Sequence, residues 1–288
     1  RPLLQGNPMS DIVQFTEEST YCLVQLDDGK ANVVSPDFSK AMNECLDRAE
    51  ADGAGAVLLC GREGMFPAGF DLKIVQRSAE EGIGMVMQGI ELAIRLYSFP
   101  MPVVAACTGH GIAMGAFLLL SCDNRVGATG EFQWSLPETR INMDIPTPLV
   151  ELSMARLSPA FATRAAIQAE IFGPELAVQA GFLDEVVAPG QVLPRARVRA
   201  DALNSVCFGL GAGLSPVQLV DARPGHPSSE SGHGIRLRIY LHGGETRGAY
   251  VRHFETRSRG QPDQSCGLSF PVRHGRPALG RSQRRPQA

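Results

Sequence analysis

Two short apolar runs set the rhythm of the chain. AVLLC at 56–60 and VVAAC at 103–107 are continuously apolar and one strand long, the pattern of strands buried on both faces. Each is followed by a glycine-containing turn and then by a helical pattern. After the first run, MFPAGFDLK (65–73) leads into residues 71–97, where Ile90, Ala93, Ile94 and Tyr97 share one helical stripe that stops before Pro100. After the second, Thr108-Gly109-His110-Gly111 leads into residues 112–122, which are small and apolar all round, as in a helix buried on every side.

The flanking segments read in the same way. Residues 21–26 are strand-like, Asp28-Gly29 is a turn, and residues 31–34 are expected to return as a second strand. Ser35 is placed to cap a helix with Pro36 in its first position, running to about Ala51 with Phe38, Ala41, Met42 and Cys45 inward. Further on, 124–128 and 131–134 look like short strands, while 149–157, 159–169 and 174–180 are helical, the last closed by Gly181. A further helix opens at Val192. Strands alternating with helices predict an α/β core.

The two turns carry the candidate chemistry. Glycines there allow a sharp bend and close backbone approach, and each turn offers a backbone N–H ahead of a helix. One such unit is an ordinary strand–turn–helix; two of them supply what an oxyanion hole requires. Together, PAGFDLK (67–73) and GHGIAMGAFLLLSCD (109–123) resemble the enoyl-CoA hydratase/isomerase (crotonase) family, whose motifs run AG-x-D and G-x-A-x-G-G. The likeness continues to Val187, through FLDEVV at 182–187, and spans roughly the first two-thirds of the chain. It implies an α/β, crotonase-like spiral of ββα units capped by C-terminal helices. It also implies assembly as a homotrimer or a dimer of trimers, and action on an acyl-CoA thioester. CoA is then part of the substrate, and no separate cofactor or metal is expected.

Carried over residue by residue, the resemblance puts the two oxyanion donors at the backbone N–H groups of Phe70 and Met114. Met114 stands where the family has glycine, but still brings its N–H. Asp71 is expected to hold the first turn, and Ala68, His110 and Phe117 to line the substrate site, although His110 also suits a packing role. Hydratases of the family use two glutamates. At the first position this chain has Phe117, which transfers no proton; the second matches Glu138 in Ser135-Leu136-Pro137-Glu138. A single carboxylate beneath an oxyanion hole suits moving a proton between C2 and C4, which is double-bond isomerisation, with Glu138 as general acid/base. The alternatives are a 2-enoyl-CoA hydratase, with Asp144 as the second carboxylate, and a non-catalytic acyl-CoA binder. Glu131 reads as an exposed strand-edge residue, and Lys73 as a helix lysine within reach of CoA phosphate.

Composition refines this in one place. A net charge of −3 and ordinary apolar content give no pull toward nucleic acid or membrane, and the seven scattered cysteines show no metal-ligand or disulfide spacing, a cytoplasmic pattern. The average hides a split: residues 204–288 hold twelve arginines against five acids, so the rest of the chain is strongly acidic. We therefore divide the chain into an unstructured leader (1–8), a catalytic core (9–203) and an atypical Arg/Gly/Pro/Ser-rich segment (204–288). The last reads as a disordered basic tail or as a shifted reading frame, and the abrupt change near Asn204 favours the second.

Overall fold

The apolar runs become neighbouring strands of one sheet. The computed structural model describes residues 7–8, 12–209, 235–240 and 251–256. Its strands are β1 (Asn7–Pro8), β2 (Val13–Glu17), β3 (Cys22–Leu26), β4 (Val57–Gly61), β5 (Gly64–Met65), β6 (Val103–Cys107), β7 (Gly109–Ile112), β8 (Asn124–Ala128), β9 (Trp134–Ser135), β10 (Glu185–Val187), β11 (Ile235–Tyr240) and β12 (Val251–Thr256). Its helices are α1 (Pro36–Asp52), α2 (Leu72–Arg77), α3 (Ala79–Tyr97), α4 (Met114–Leu120), α5 (Thr147–Arg156), α6 (Pro159–Ala166), α7 (Pro174–Ala180) and α8 (Val192–Gly209).

The main sheet has the order β1-β2-β3-β4-β6-β8-β10, antiparallel over its first two pairings and parallel thereafter. A smaller parallel sheet, β5-β7-β9, lies beside it. Every residue of β4 and β6 is buried, because helices cover both faces of the sheet. Val57, Leu59, Val103, Ala105 and Cys107 face the core built with α1, α3 and α4. Leu58, Cys60, Val104 and Ala106 face the opposite way, against Val192, Ala196 and Ala200 of α8. Alternation along each strand thus sorts its side chains between two cores.

Several expectations change. Residues 31–34 do not return as a strand beside β3. Instead β3 pairs antiparallel with β2, Phe15 opposite Val24, and parallel with β4. The intervening loop wraps around Asp28, whose carboxylate accepts from the N–H groups of Lys30, Asn32 and Val33. That ties these amides locally and leaves only Val34 to bridge to Phe70. The helix expected over 71–97 is two helices, because Ser78 takes an extended conformation and its hydroxyl caps Glu81. The strand expected at 131–134 is shorter and begins three residues later, as β9. Asn7 and Pro8, placed in an unstructured leader, pair with Phe15 and Gln14; residues 1–6 lie outside the described residues. Within 204–288, the described residues are the end of α8 and the antiparallel pair β11-β12; the rest of that segment lies outside them.

Candidate active site

The two glycine turns pack directly on each other. Gly115 donates its N–H to the Ala68 carbonyl at 3.3 Å, and a Cβ built on Gly115 falls 1.5 Å from the Pro67 oxygen. A Cβ on Gly69 meets the Ala113 Cβ at 3.1 Å and the Met114 nitrogen at 4.0 Å. Only glycine permits the first approach, and the second is tight.

Within this contact, neighbouring amides are occupied and the two expected donors are not. Gly69 accepts from Val34 N–H at 2.7 Å, and Asp71 N–H donates back to the Val34 carbonyl. The Asp71 carboxylate then caps α2 through Lys73 N–H. Phe70 sits between these bonds, and among the described residues its N–H has no acceptor. In the second turn Ala113 takes φ 53° and ψ −128°, a conformation that favours glycine and costs on the order of 1–3 kcal/mol for other residues. It redirects the chain between β7 and α4, where the Met114 N–H likewise has no acceptor among the described residues. Strain held at this one residue is therefore coupled to the orientation of one donor.

The carboxylate arrives from the small sheet. β9 runs beside β7 with Ser135 opposite Ile112, and the Ser135 carbonyl accepts from Ala113 N–H at 3.0 Å. Trp134 anchors that strand by paired backbone bonds to Phe172 and by an indole bond to the Cys107 sulfur. Pro137 then turns the chain into a short 3₁₀ segment, Glu138–Ile141. Glu138 is half-buried, and its Oε2 is enclosed without a hydrogen-bond partner. Burial pushes its carboxyl up to about 7, against the opposing pull of its own backbone N–H. Two side chains clamp the 3₁₀ segment: Thr139 donates to the Ile167 carbonyl at 3.1 Å, and Arg140 to the Ala169 carbonyl at 2.7 Å.

The other candidates separate. Asp144, Glu131 and Lys73 are exposed. Phe117 is buried on α4 and packs into the main core. Ala68 is half-buried with both backbone groups bonded, its N–H to Ala31 and its carbonyl to Gly115. His110 is engaged elsewhere: its Nδ1 accepts from Gln133 N–H at 3.2 Å and its ring meets Phe132 edge-on at 5.3 Å, which is the packing role. Three features escape sequence reasoning. Thr139 and Arg140 carry no pattern of their own, and the Phe70 ring, whose Cε1 lies 2.5 Å from where a Cβ on Gly89 would sit, approaches a residue nineteen positions away. The Ala113 conformation had a signal, an alanine inside a glycine turn.

The enoyl-CoA hydratase/isomerase family model matches residues 16–207. The apo enoyl-CoA isomerase of Mtb superposes with a TM-score of 0.66 at 39% identity, covering 68% of this chain and 85% of that one. An enoyl-CoA hydratase from Mycobacterium ulcerans Agy99 gives 0.65 at 42% identity, covering 67% and 85%. Human mitochondrial enoyl-CoA delta isomerase 1 is 30% identical over 61% of this chain, which spans only 57% of the human protein's length. Relatives bearing hydratase names and relatives bearing isomerase names both occur. Among the described residues, no helix is long and apolar enough to cross a membrane.

Proposed function

Because the chain belongs to the enoyl-CoA hydratase/isomerase family, we propose that it isomerises the double bond of an enoyl-CoA thioester. Glu138 is the general acid/base, and the N–H groups of Phe70 and Met114 are the oxyanion donors. The ionised carboxylate removes a proton from C2 of a 3-enoyl thioester. The electron pair moves onto the thioester oxygen, where two preorganised donors stabilise the dienolate. The same carboxyl group returns the proton at C4, and the double bond settles between C2 and C3. Nothing is added or lost, so a single proton carrier is enough.

The observation that carries this reading is the isolation of Glu138. It is a half-buried carboxylate with an enclosed, unpartnered oxygen and a carboxyl raised to about 7, while Phe117 fills the place of the family's other glutamate. Adding water calls for a second group to hold it, and Asp144, the nearest in sequence, is exposed. In this reading CoA enters as part of the substrate, residues 9–203 are the catalytic unit, and the working form is a homotrimer or a dimer of trimers.

Turnover of a 3-enoyl-CoA and a 2-enoyl-CoA, measured side by side with Glu138→Gln as control, tests it. Conversion of the 3-enoyl substrate alone, lost in the variant, is the expected result. Hydration of the 2-enoyl substrate would replace the proposal with the hydratase reading, as the name of the Mycobacterium ulcerans relative suggests. Binding of CoA thioesters with no turnover of either would make the protein an acyl-CoA binder.

A further inference from the structure

Gly89 lies in the interior of α3, buried, where a glycine destabilises a helix relative to alanine. What it makes room for is specific. A Cβ at Gly89 would sit 2.5 Å from Cε1 and 2.8 Å from Cζ of Phe70, and 3.6 Å from the terminal methyl of Met114. Gly84 on the same helix has nothing within 4 Å of its Cβ position. The two side chains that converge on Gly89 belong to the two residues whose backbone N–H groups lack acceptors among the described residues.

We infer that Gly89 is a positioning residue for the proposed oxyanion site: its bare backbone seats the Phe70 ring and the Met114 methyl, and so sets where the two donor-bearing turns stand relative to each other. The inference rests on the isomerase reading. Gly69 and Asp71 pin the backbone on either side of Phe70 to Val34. The Phe70 N–H shares its peptide plane with the Gly69 carbonyl, and the Met114 N–H shares its plane with the Ala113 carbonyl, which accepts from Ala116 and Phe117. Each amide's tilt is thus set within its own turn, while the Phe70 ring tip rests on α3. Met114 meets the same point from the second turn. One long helix thereby references both donors to each other, as preorganised electrostatic stabilisation requires.

Gly89→Ala, Phe70→Leu and the double variant test this. Leucine lacks the Cε1 and Cζ atoms that the new methyl would strike. Two readouts are needed: kcat and KM on the 3-enoyl-CoA, and affinity for acetoacetyl-CoA against the thioether butyl-CoA. Acetoacetyl-CoA can present an enolate oxygen to the donors; the thioether has no carbonyl. We expect Gly89→Ala to lower kcat about 10–100-fold, with KM moving less than about threefold. It also weakens acetoacetyl-CoA while leaving butyl-CoA binding unchanged. In the Phe70→Leu background the same substitution has little further effect. Equal loss of both ligands, an equal penalty in both backgrounds, or an unaltered kcat would overturn the role of Gly89. If wild-type protein discriminates the two ligands but turns over neither enoyl substrate, only the isomerase reading fails. If it does not discriminate them, both inferences fall.

Discussion

The amide of Ala113 donates to the carbonyl of Ser135 at 3.0 Å. This one bond joins the strained residue that aims the Met114 N–H to the strand that delivers Glu138 three residues later. Proposed donor and proposed base therefore share a frame, and disturbing either side should be felt at the other.

Glu138 should impose its own pH dependence on activity and on stability, with opposite signs. As the base it works ionised, so kcat/KM rises with pH through about 7. Its folded carboxyl lies above the unfolded value, so stability is complete at low pH, falls as the unfolded carboxylate ionises above its ordinary range near 4.5, and stops falling above about 7. Glu138→Gln should lower turnover about 10²–10⁴-fold and remove that slope. Urea unfolding at pH 5 and pH 8, wild type against variant, checks the second claim.

The clamp on the 3₁₀ segment should matter more to catalysis than to folding. Arg140→Ala removes an exposed side chain's bond to the Ala169 carbonyl, at about 1 kcal/mol of stability. It frees the turn holding Glu138, and we expect kcat to fall about tenfold or more, with the Glu138 titration shifted in the pH profile. Thr139→Ala should act in the same direction through the Ile167 carbonyl.

Gly115→Ala should be the most damaging small substitution in the site. Its methyl would land 1.5 Å from the Pro67 oxygen and 2.4 Å from the Pro67 carbonyl carbon, and backbone atoms cannot rotate away. A loss on the order of 4 kcal/mol or more is expected, visible as a large fall in the midpoint of thermal unfolding.

Asp184 should prove structural. It accepts from the N–H, Nε and a terminal nitrogen of Arg125, whose guanidinium is buried and also donates to the Gly181 carbonyl. Asp184→Ala leaves that charge short of its partner, and should cost about 2–4 kcal/mol while kcat of the folded fraction stays unchanged. Replacing both, Arg125→Met with Asp184→Leu, should recover much of the loss in a denaturant titration.

What was legible in the sequence was local. The runs at 56–60 and 103–107, the Ser35-Pro36 helix start and the paired glycine turns are each encoded within a few residues, and they fold as expected. The partner of β3 was not legible, because VQFTE alternates weakly, while the loop's real organiser, the Asp28 carboxylate, looks like any acidic turn residue. Glu138 was identified by resemblance; its enclosed oxygen depends on packing that no sequence window contains. The seat that Gly89 gives to Phe70 is of the same kind, a contact between a helix interior and a turn that only the assembled fold brings together.

The main sheet also carries a consequence for how the protein is made. Its strands lie in space in the order in which they occur in the chain, from β1 through β10. During synthesis, each new strand emerges beside one already laid down, with no gap to be held open for a later segment. Each closure therefore spans a single crossover between chain neighbours in the sheet, and growth is vectorial from the N-terminal edge. The first glycine turn exists before the second can dock on it, and the carboxylate is the last of the three parts to leave the ribosome. A nascent chain stopped at Ala128 would carry both turns, but not the base, the Ser135 carbonyl that ties down Ala113, or the α8 helix that covers the far face of the sheet.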